Sequence, residues 1–258
     1  NGRCVVDAMT PSFWRAPTDN DWGNNAHRRL NAWRYAAENR RCTGVAVDGN
    51  TIRSTYSMPE ADAVLAVACK VYSDGSMDVD VDLDGGDDMP EMLRIGMQLR
   101  LGRHYDNFSY VGRGPVENYS DRNTAAFMGT WGGKVADEFF PYIRPQETGN
   151  HTDVRMASLT DGAGRGVRVW GAQPLNVSAL DVTPADLDPG MAKHQMHNSD
   201  VRHSRSSVYL NVDLAQRGLG GDDTWGRPPH EPYQLKDKHY SYSFRIAPVR
   251  FKSSASKP

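Results

Sequence analysis

The sequence predicts an all-β protein, a large antiparallel β-sandwich with one or two short helices. From about residue 45 onward, apolar and polar residues alternate with a period of two, the mark of half-buried strands. The 24 glycines and 15 prolines are many for a helical chain and suit frequent tight connections. The alternating segments are also short and closely spaced, as the strands of a sandwich are.

Taken in order, Asn24 to Asn39 carries Leu30, Trp33 and Ala37 among good helix formers and is expected to be a short helix. Val64 to Tyr72 and Met77 to Asp84 form a hairpin around the turn Ser73-Asp-Gly-Ser76. Its second strand places Met77, Val79, Val81 and Leu83 on one face and four aspartates on the other. Residues two apart on a strand stand about 7 Å apart in a row, so these carboxylates do not converge on a cation. A solvated, arginine-paired face is expected. The next strand, Leu93 to Leu101, presents Arg94, Gln98 and Arg100 and is expected to lie beside the acidic one and pair its charges. Further strands follow at Gly166–Trp170, Leu175–Ala179, Ser207–Leu214 and Tyr240–Ile246. Thr183 before Pro184 reads as a helix N-cap with proline in the first turn. Trp131, Trp170 and the Cys69 thiol sit in apolar, strand-like settings and are expected to be buried. No linker divides the chain, so residues 1–250 are read as one domain and 251–258 as a flexible tail.

Composition excludes several classes. At 258 residues a core is available without disulfide staples. Three cysteines without a C-x-x-C suggest neither a disulfide framework nor a zinc knuckle. Thirty basic against thirty-two acidic residues, net charge −2, give no electrostatic footprint for nucleic acid or an anionic membrane. The longest apolar run, Ala63 to Cys69, is too short to span a bilayer. The chain opens Asn1-Gly2-Arg3, with neither an initiator methionine nor a signal-peptide pattern, and is expected to be part of something longer.

Four stretches are too rich in polar, aromatic and glycine residues to be ordinary connections: Phe13 to Gly23 (FWRAPTDNDWG), Val111 to Arg122 (VGRGPVENYSDR), Pro141 to His151 (PYIRPQETGNH) and Gly218 to Trp225 (GLGGDDTW). In the first, Arg15 could tie down the turn formers Asp19, Asn20 and Asp21. In the second, glycines flanking Arg113 suggest special backbone conformations, and Glu117, Asp121 and Arg122 could form a buried ion network. In the fourth, Trp225 follows a glycine-rich acidic turn, a poor place to bury indole. An exposed ring there suits stacking on the apolar face of a sugar.

These four motifs, in this order, resemble the C-terminal, fifth domain of the glycoside hydrolase family 2 β-galactosidases, and the similarity runs from Phe13 to about Ile246. The resemblance implies a supersandwich fold, galactose mutarotase-like, within a five-domain enzyme whose central (β/α)₈ barrel holds the active site. It implies hydrolysis of terminal β-D-galactosides such as lactose with retention, by two glutamates roughly 5 Å apart. Both belong to the barrel, so no catalytic residue is expected here, and Glu117 and Glu147 are assigned to structural hydrogen bonding. Trp225 matches the residue that stacks on the sugar in the acceptor or leaving-group subsite. Arg15, Asp19 and Asn20 match a loop at the active-site rim. No metal or cofactor is expected in this domain; magnesium and sodium bind in the barrel of the parent family. The implied partners are the remaining domains, the galactoside and further copies of the parent. A bacterial cytoplasmic or periplasmic enzyme is implied, and a naturally separate small subunit is an open alternative.

Three other readings are available. A stand-alone carbohydrate-binding module would use Trp14, Trp22 and Trp225 as platforms. An aldose epimerase would need a glutamate and a histidine around an anomeric hydroxyl, with Glu147 and His151 as candidates and His104, His194, His197 and His203 in reserve. A metal site would draw on His194, His197, His203 and Asp200, a spacing without the usual carboxylate or cysteine company.

Overall fold

The computed structural model describes residues 4–188, 190, 195–223 and 225–249. Among them the strands, numbered in chain order, form two antiparallel sheets. The smaller runs β1 (Val6–Ser12), β6 (Arg94–Gly102), β13 (Ser207–Gln216), β12 (Leu175–Leu180) and β9 (His151–Val154). The larger runs β2 (Arg41–Asp48), β3 (Thr51–Met58), β4 (Ala63–Val71), β5 (Met77–Gly85), β14 (His239–Val249), β11 (Gly166–Gly171), β10 (Met156–Thr160), β7 (Asn107–Gly114) and β8 (Phe127–Lys134). The facing rows of alternate residues make one core: Leu99, Leu210 and Val212 meet Leu65, Val81, Leu83, Phe108 and Phe244. The expected tail, residues 251–258, lies outside the described residues.

The hairpin forms in the register that its alternation dictates, from Val71 opposite Met77 to Ala63 opposite Gly85. Of the four aspartates on the acidic face, Asp78 is paired with an arginine, and that arginine comes from a different strand than expected. β5 pairs with β14, and Arg245 grips Asp78 with Nη2–Oδ2 2.6 Å, holding that carboxyl below its usual range. His239 lies 2.7 Å from Asp84. β6 instead sits in the opposite sheet, because its Ile95, Met97 and Leu99 are needed on the other side of the core.

Asn24 to Asn39 is not one helix. It is a chain of single turns, α2 (Ala26–Arg29), a 3₁₀ turn at Asn31–Trp33 and α3 (Ala36–Asn39), preceded by α1 (Asp19–Gly23). Asn25 is left-handed at φ 58, and Leu30 and Tyr35 leave helical geometry. Each break re-aims the next turn, so Ala26, Leu30, Trp33 and Ala36 all reach the core. α4 (Pro184–Leu187) starts as expected, with Thr183 and Asp186 closing a capping box.

Trp131 and Trp170 are half-buried rather than core. Trp131 stands on the edge strand β8, and Trp170 pairs with Arg245 on the polar face while Val167 and Val169 take the apolar one. Cys69 is half-buried also, and burial pushes its thiol up.

A polar cluster is buried where β6 meets β13. Arg94 Nε lies 2.9 Å from Asp213 Oδ2 and its Nη2 3.0 Å from Glu147 Oε1, all three being almost inaccessible. Gly96 makes room, since a Cβ there would stand 1.8 Å from Asp213 Oδ1. Burial pushes the Asp213 carboxyl up to about 7, with Glu147 adding and Arg94 opposing. A carboxyl with a raised folded-state pKa binds a proton more tightly when folded, so its contribution to stability declines as pH rises through that value. The stability that Asp213 contributes should therefore fall as pH rises from about 4, the ordinary carboxyl value, to about 7, and level off above it. Asp213→Asn should flatten that decline in a thermal-melt series, and an unchanged slope would contradict the assignment.

Candidate functional site

The four motifs meet in one polar hub at an end of the sandwich. The first leaves β1 and turns into α1, where Thr18 caps the helix: its hydroxyl accepts from the Asp21 amide at 3.1 Å, and Asp21 accepts from the Thr18 amide at 3.0 Å. Asp21 is fully buried between two fully buried guanidiniums. Arg15 Nη2 lies 3.0 Å from Asp21 Oδ2, and Arg217 Nη1 3.1 Å from Oδ1. Arg217 also pairs with Glu91. Two cations thus face two anions away from water, and removing one member of such a set costs about 3–5 kcal/mol.

This hub holds the glycine-rich loop. Arg15 donates to the carbonyls of Arg217 and Gly218, the second at 3.1 Å. Asn20 donates to the Leu219 carbonyl at 3.1 Å. Asp121 accepts from the Leu219 and Gly220 amides at 3.0 and 2.8 Å. Beyond it, Asp223 accepts from the Trp225 and Arg227 amides at 3.0 and 3.1 Å, which holds its carboxyl below the usual range. Gly226, at φ +98, lies directly against the end of α1: a Cβ on it would stand 2.2 Å from the Gly23 carbonyl carbon. Trp225 sits on this clamped loop with 90% of its surface exposed.

The sequence-derived candidates therefore separate. Trp225 is free to contact a ligand. Asp19 is exposed, with Arg144 Nη1 at 3.2 Å and Gln146 at 3.3 Å tying it to the third motif. Asn20 is half-buried with its amide on the loop. Arg15 is wholly inside the hub and presents nothing to solvent; it ties down Asp21 rather than Asp19.

The second and third motifs lock together. Asn118 Oδ1 accepts from the Thr152 amide at 3.0 Å, and the Asn150 side chain donates to the Asn118 carbonyl at 2.8 Å. Glu117 accepts from Gly149 N at 2.7 Å, Thr148 Oγ1 at 3.1 Å and Arg122 at 2.8 Å. Asp121 does not join that ion pair, because its carboxylate is spent on the loop amides. Gly112 and Gly114 lack positive φ; they serve close packing, against Val154 and against Tyr110 and Trp131. Glu147 is consumed by Arg94 and Gln216.

The other candidates are engaged elsewhere. His151 is buried between Tyr110 Oη at 2.8 Å and Glu138 at 2.7 Å, so it does not face Glu147 across an opening. Trp14 is buried with Nε1 2.9 Å from Asp188, and Trp22 stacks on His27. His203 bonds Asp181 at 2.7 Å, and His194 lies outside the described residues. Among the described residues no three His, Cys, Asp or Glu side chains gather as a metal set. Arg217, Glu91, Asp213 and Gln216 were not singled out from sequence. Arg217 had one signal, its place just before Gly218.

A family model described as "Beta galactosidase small chain" matches residues 1–246. A β-galactosidase of Priestia megaterium is 36% identical over 250 residues, covering 95% of this chain and 24% of that protein. β-Galactosidase BgaC of Bifidobacterium adolescentis is 36% identical over 243 residues, covering 90% and 22%. Among solved structures, a GalM/aldose epimerase homologue from C. elegans overlays with a TM-score of 0.44 at 7% identity, over 83% of this chain and 69% of that one. The α-galactosidase AgaA of Geobacillus stearothermophilus gives 0.40 at 8% identity, over 96% and 29%. The chain thus spans about a quarter of the length of the two β-galactosidases, and by a match that takes in all four motifs it belongs to the β-galactosidase small chain family.

Proposed function

We propose that this chain is the C-terminal sandwich of a retaining β-galactosidase acting on terminal β-D-galactosides such as lactose, and that it supplies one aromatic wall of the active site. The observation that carries this reading is Trp225, an indole left 90% exposed on a loop whose backbone is clamped from several sides. A large apolar ring whose backbone amide is already tied down offers broad contact area to the apolar face of a sugar. The paired glutamates, and the magnesium and sodium of the parent family, are assigned to the barrel domain. Both carboxylate oxygens of Glu117 are engaged by hydrogen bonds, and Glu147 is buried with its Oε1 held by Arg94 and Gln216. Asp19 and Asn20 form the rim, and Arg15 acts through the loop rather than on the substrate. The isolated chain is inactive in this reading, and the complete enzyme works as a homo-oligomer in the bacterial cytoplasm or periplasm.

In the complete enzyme, Trp225→Ala removes stacking and burial worth about 1–2 kcal/mol, so kcat/KM for lactose should fall about 5- to 30-fold. Methyl β-galactoside, whose leaving group has no ring to stack, should lose much less. Equal losses on both substrates would sink the subsite assignment. Gly226→Ala keeps the indole but drives a methyl into the Gly23 carbonyl; it should reproduce the lactose-selective loss, and wild-type selectivity would show that the loop is not positioned through this contact. Folded residues 1–258, with native circular dichroism, should leave a chromogenic β-galactoside uncleaved; turnover would overturn the division of labour.

A further inference from the structure

The two sheets are unequal, nine strands against five, and both edge strands of the larger one, β2 and β8, are largely exposed. Side chains directly opposite one another in antiparallel strands share a face, so a row can be followed across the larger sheet. Val47 pairs with Ile52, Ile52 with Cys69, Cys69 with Val79 and Val79 with Phe244. Exposure along this row climbs from 2% at Phe244 and 0% at Val79 to 43% at Ile52 and 70% at Val47. The next row repeats the gradient, from buried Tyr242, Val81 and Val67 through Ser54 to exposed Val45. The apolar face that makes the core thus continues onto β2 and β3, where the smaller sheet no longer covers it.

The edge is also undefended. Between the charged ends Arg41 and Asp48, the stretch Gly44-Val-Ala-Val47 holds no charge and no proline, the usual devices that keep an edge strand from pairing, and the bulge at Cys42/Gly44 interrupts the register. An apolar face of this kind on a free-standing protein is an aggregation hazard. The Priestia megaterium relative is covered by this chain over 24% of its length, and a polypeptide of that length would hold a partner of suitable size covalently at hand.

We propose that the overhanging face of β2 and β3, centred on Val45, Val47 and Ile52, is the seat on which another, apolar surface of the same β-galactosidase polypeptide docks. The proposal rests on the reading of the chain as a domain of a longer enzyme. It places this seat on β2 and β3, which among the described residues share no backbone hydrogen bond with the loop that carries Trp225.

The protein carries its own probe. Cys42 is exposed on β2, and it pairs with Tyr56 in the row that continues to Leu65 and Leu83, on the same face. In the complete native protein, maleimide labelling of Cys42, followed by peptide mass mapping, should be slowed at least about tenfold relative to the urea-unfolded protein. Val47→Asp should restore fast labelling. The wild-type measurement needs no variant, so a poorly folding Val47→Asp does not blunt the test. Fast labelling of Cys42 in the native wild type would overturn the proposal, as would protection in a folded Val47→Asp protein. Protection that disappears when the native oligomer is diluted to monomers would assign the face to a second copy and overturn it equally. The lactose preference of Trp225 variants is unaffected by any of these outcomes, so failure here is distinct from failure of the parent reading.

Discussion

A single carboxylate, Asp21, stands without solvent between two guanidiniums and joins the first motif to the start of the glycine-rich loop. Burying such a group is costly unless every charge is met. Here the meeting is complete enough to fix geometry: Arg15 and Arg217 reach Asp21 from segments about 200 residues apart, and Arg15 spends its remaining donors on the two carbonyls that begin the glycine-rich loop. The hub thus converts sequence-distant residues into one rigid corner. What such a buried network adds is conformational specificity rather than net stability, since an apolar cluster of equal volume could be as stable. It ties the backbone of a glycine-rich loop at Arg217, Gly218, Leu219 and Gly220, close before Trp225.

Much of this was legible in the sequence, and the failures have physical reasons. Period-two alternation marked β5, β11, β12, β13 and β14, because one face of each is apolar. Thr183-Pro184 marked α4 because an N-cap and a proline are local signals. The assignment of β6 failed because alternation tells which residues share a face and not which sheet the strand joins. Asn24 to Asn39 misled because its apolar residues do suit a helix, while the left-handed turn at Asn25 comes from how the segment wraps the core. At the site, the exposure of Trp225 followed from the glycine and acid content of its loop. The engagement of Arg15 was partly readable, but its partner Arg217 sits at a strand end where nothing in the pattern separates a buried arginine from a surface one. Gly96 was the overlooked sign of the Asp213 cluster, a strand glycine kept small so that a carboxylate could enter.

The sandwich also divides its surface by the length of its sheets. Where both sheets are present, the rows of alternate residues close on one another. At the β2 end the larger sheet runs on alone and its inner face is left for something else to cover. At the hub end, by contrast, polar side chains satisfy the backbone of loops that no strand could order. One fold thereby supplies an apolar seat and a rigid aromatic arm on separate parts of its surface.

The proposed action of Asp21 on the reaction runs through the loop that carries Trp225. It is tested most directly by a double-mutant cycle of Asp21→Asn and Trp225→Ala in the complete enzyme, read as kcat/KM for lactose on protein with native near-ultraviolet circular dichroism. If Asp21 acts by holding the loop, the double variant is no worse than Trp225→Ala alone, because the arm being positioned is already gone. Fully additive losses would show that Asp21 and Trp225 serve the enzyme independently, and would contradict the account.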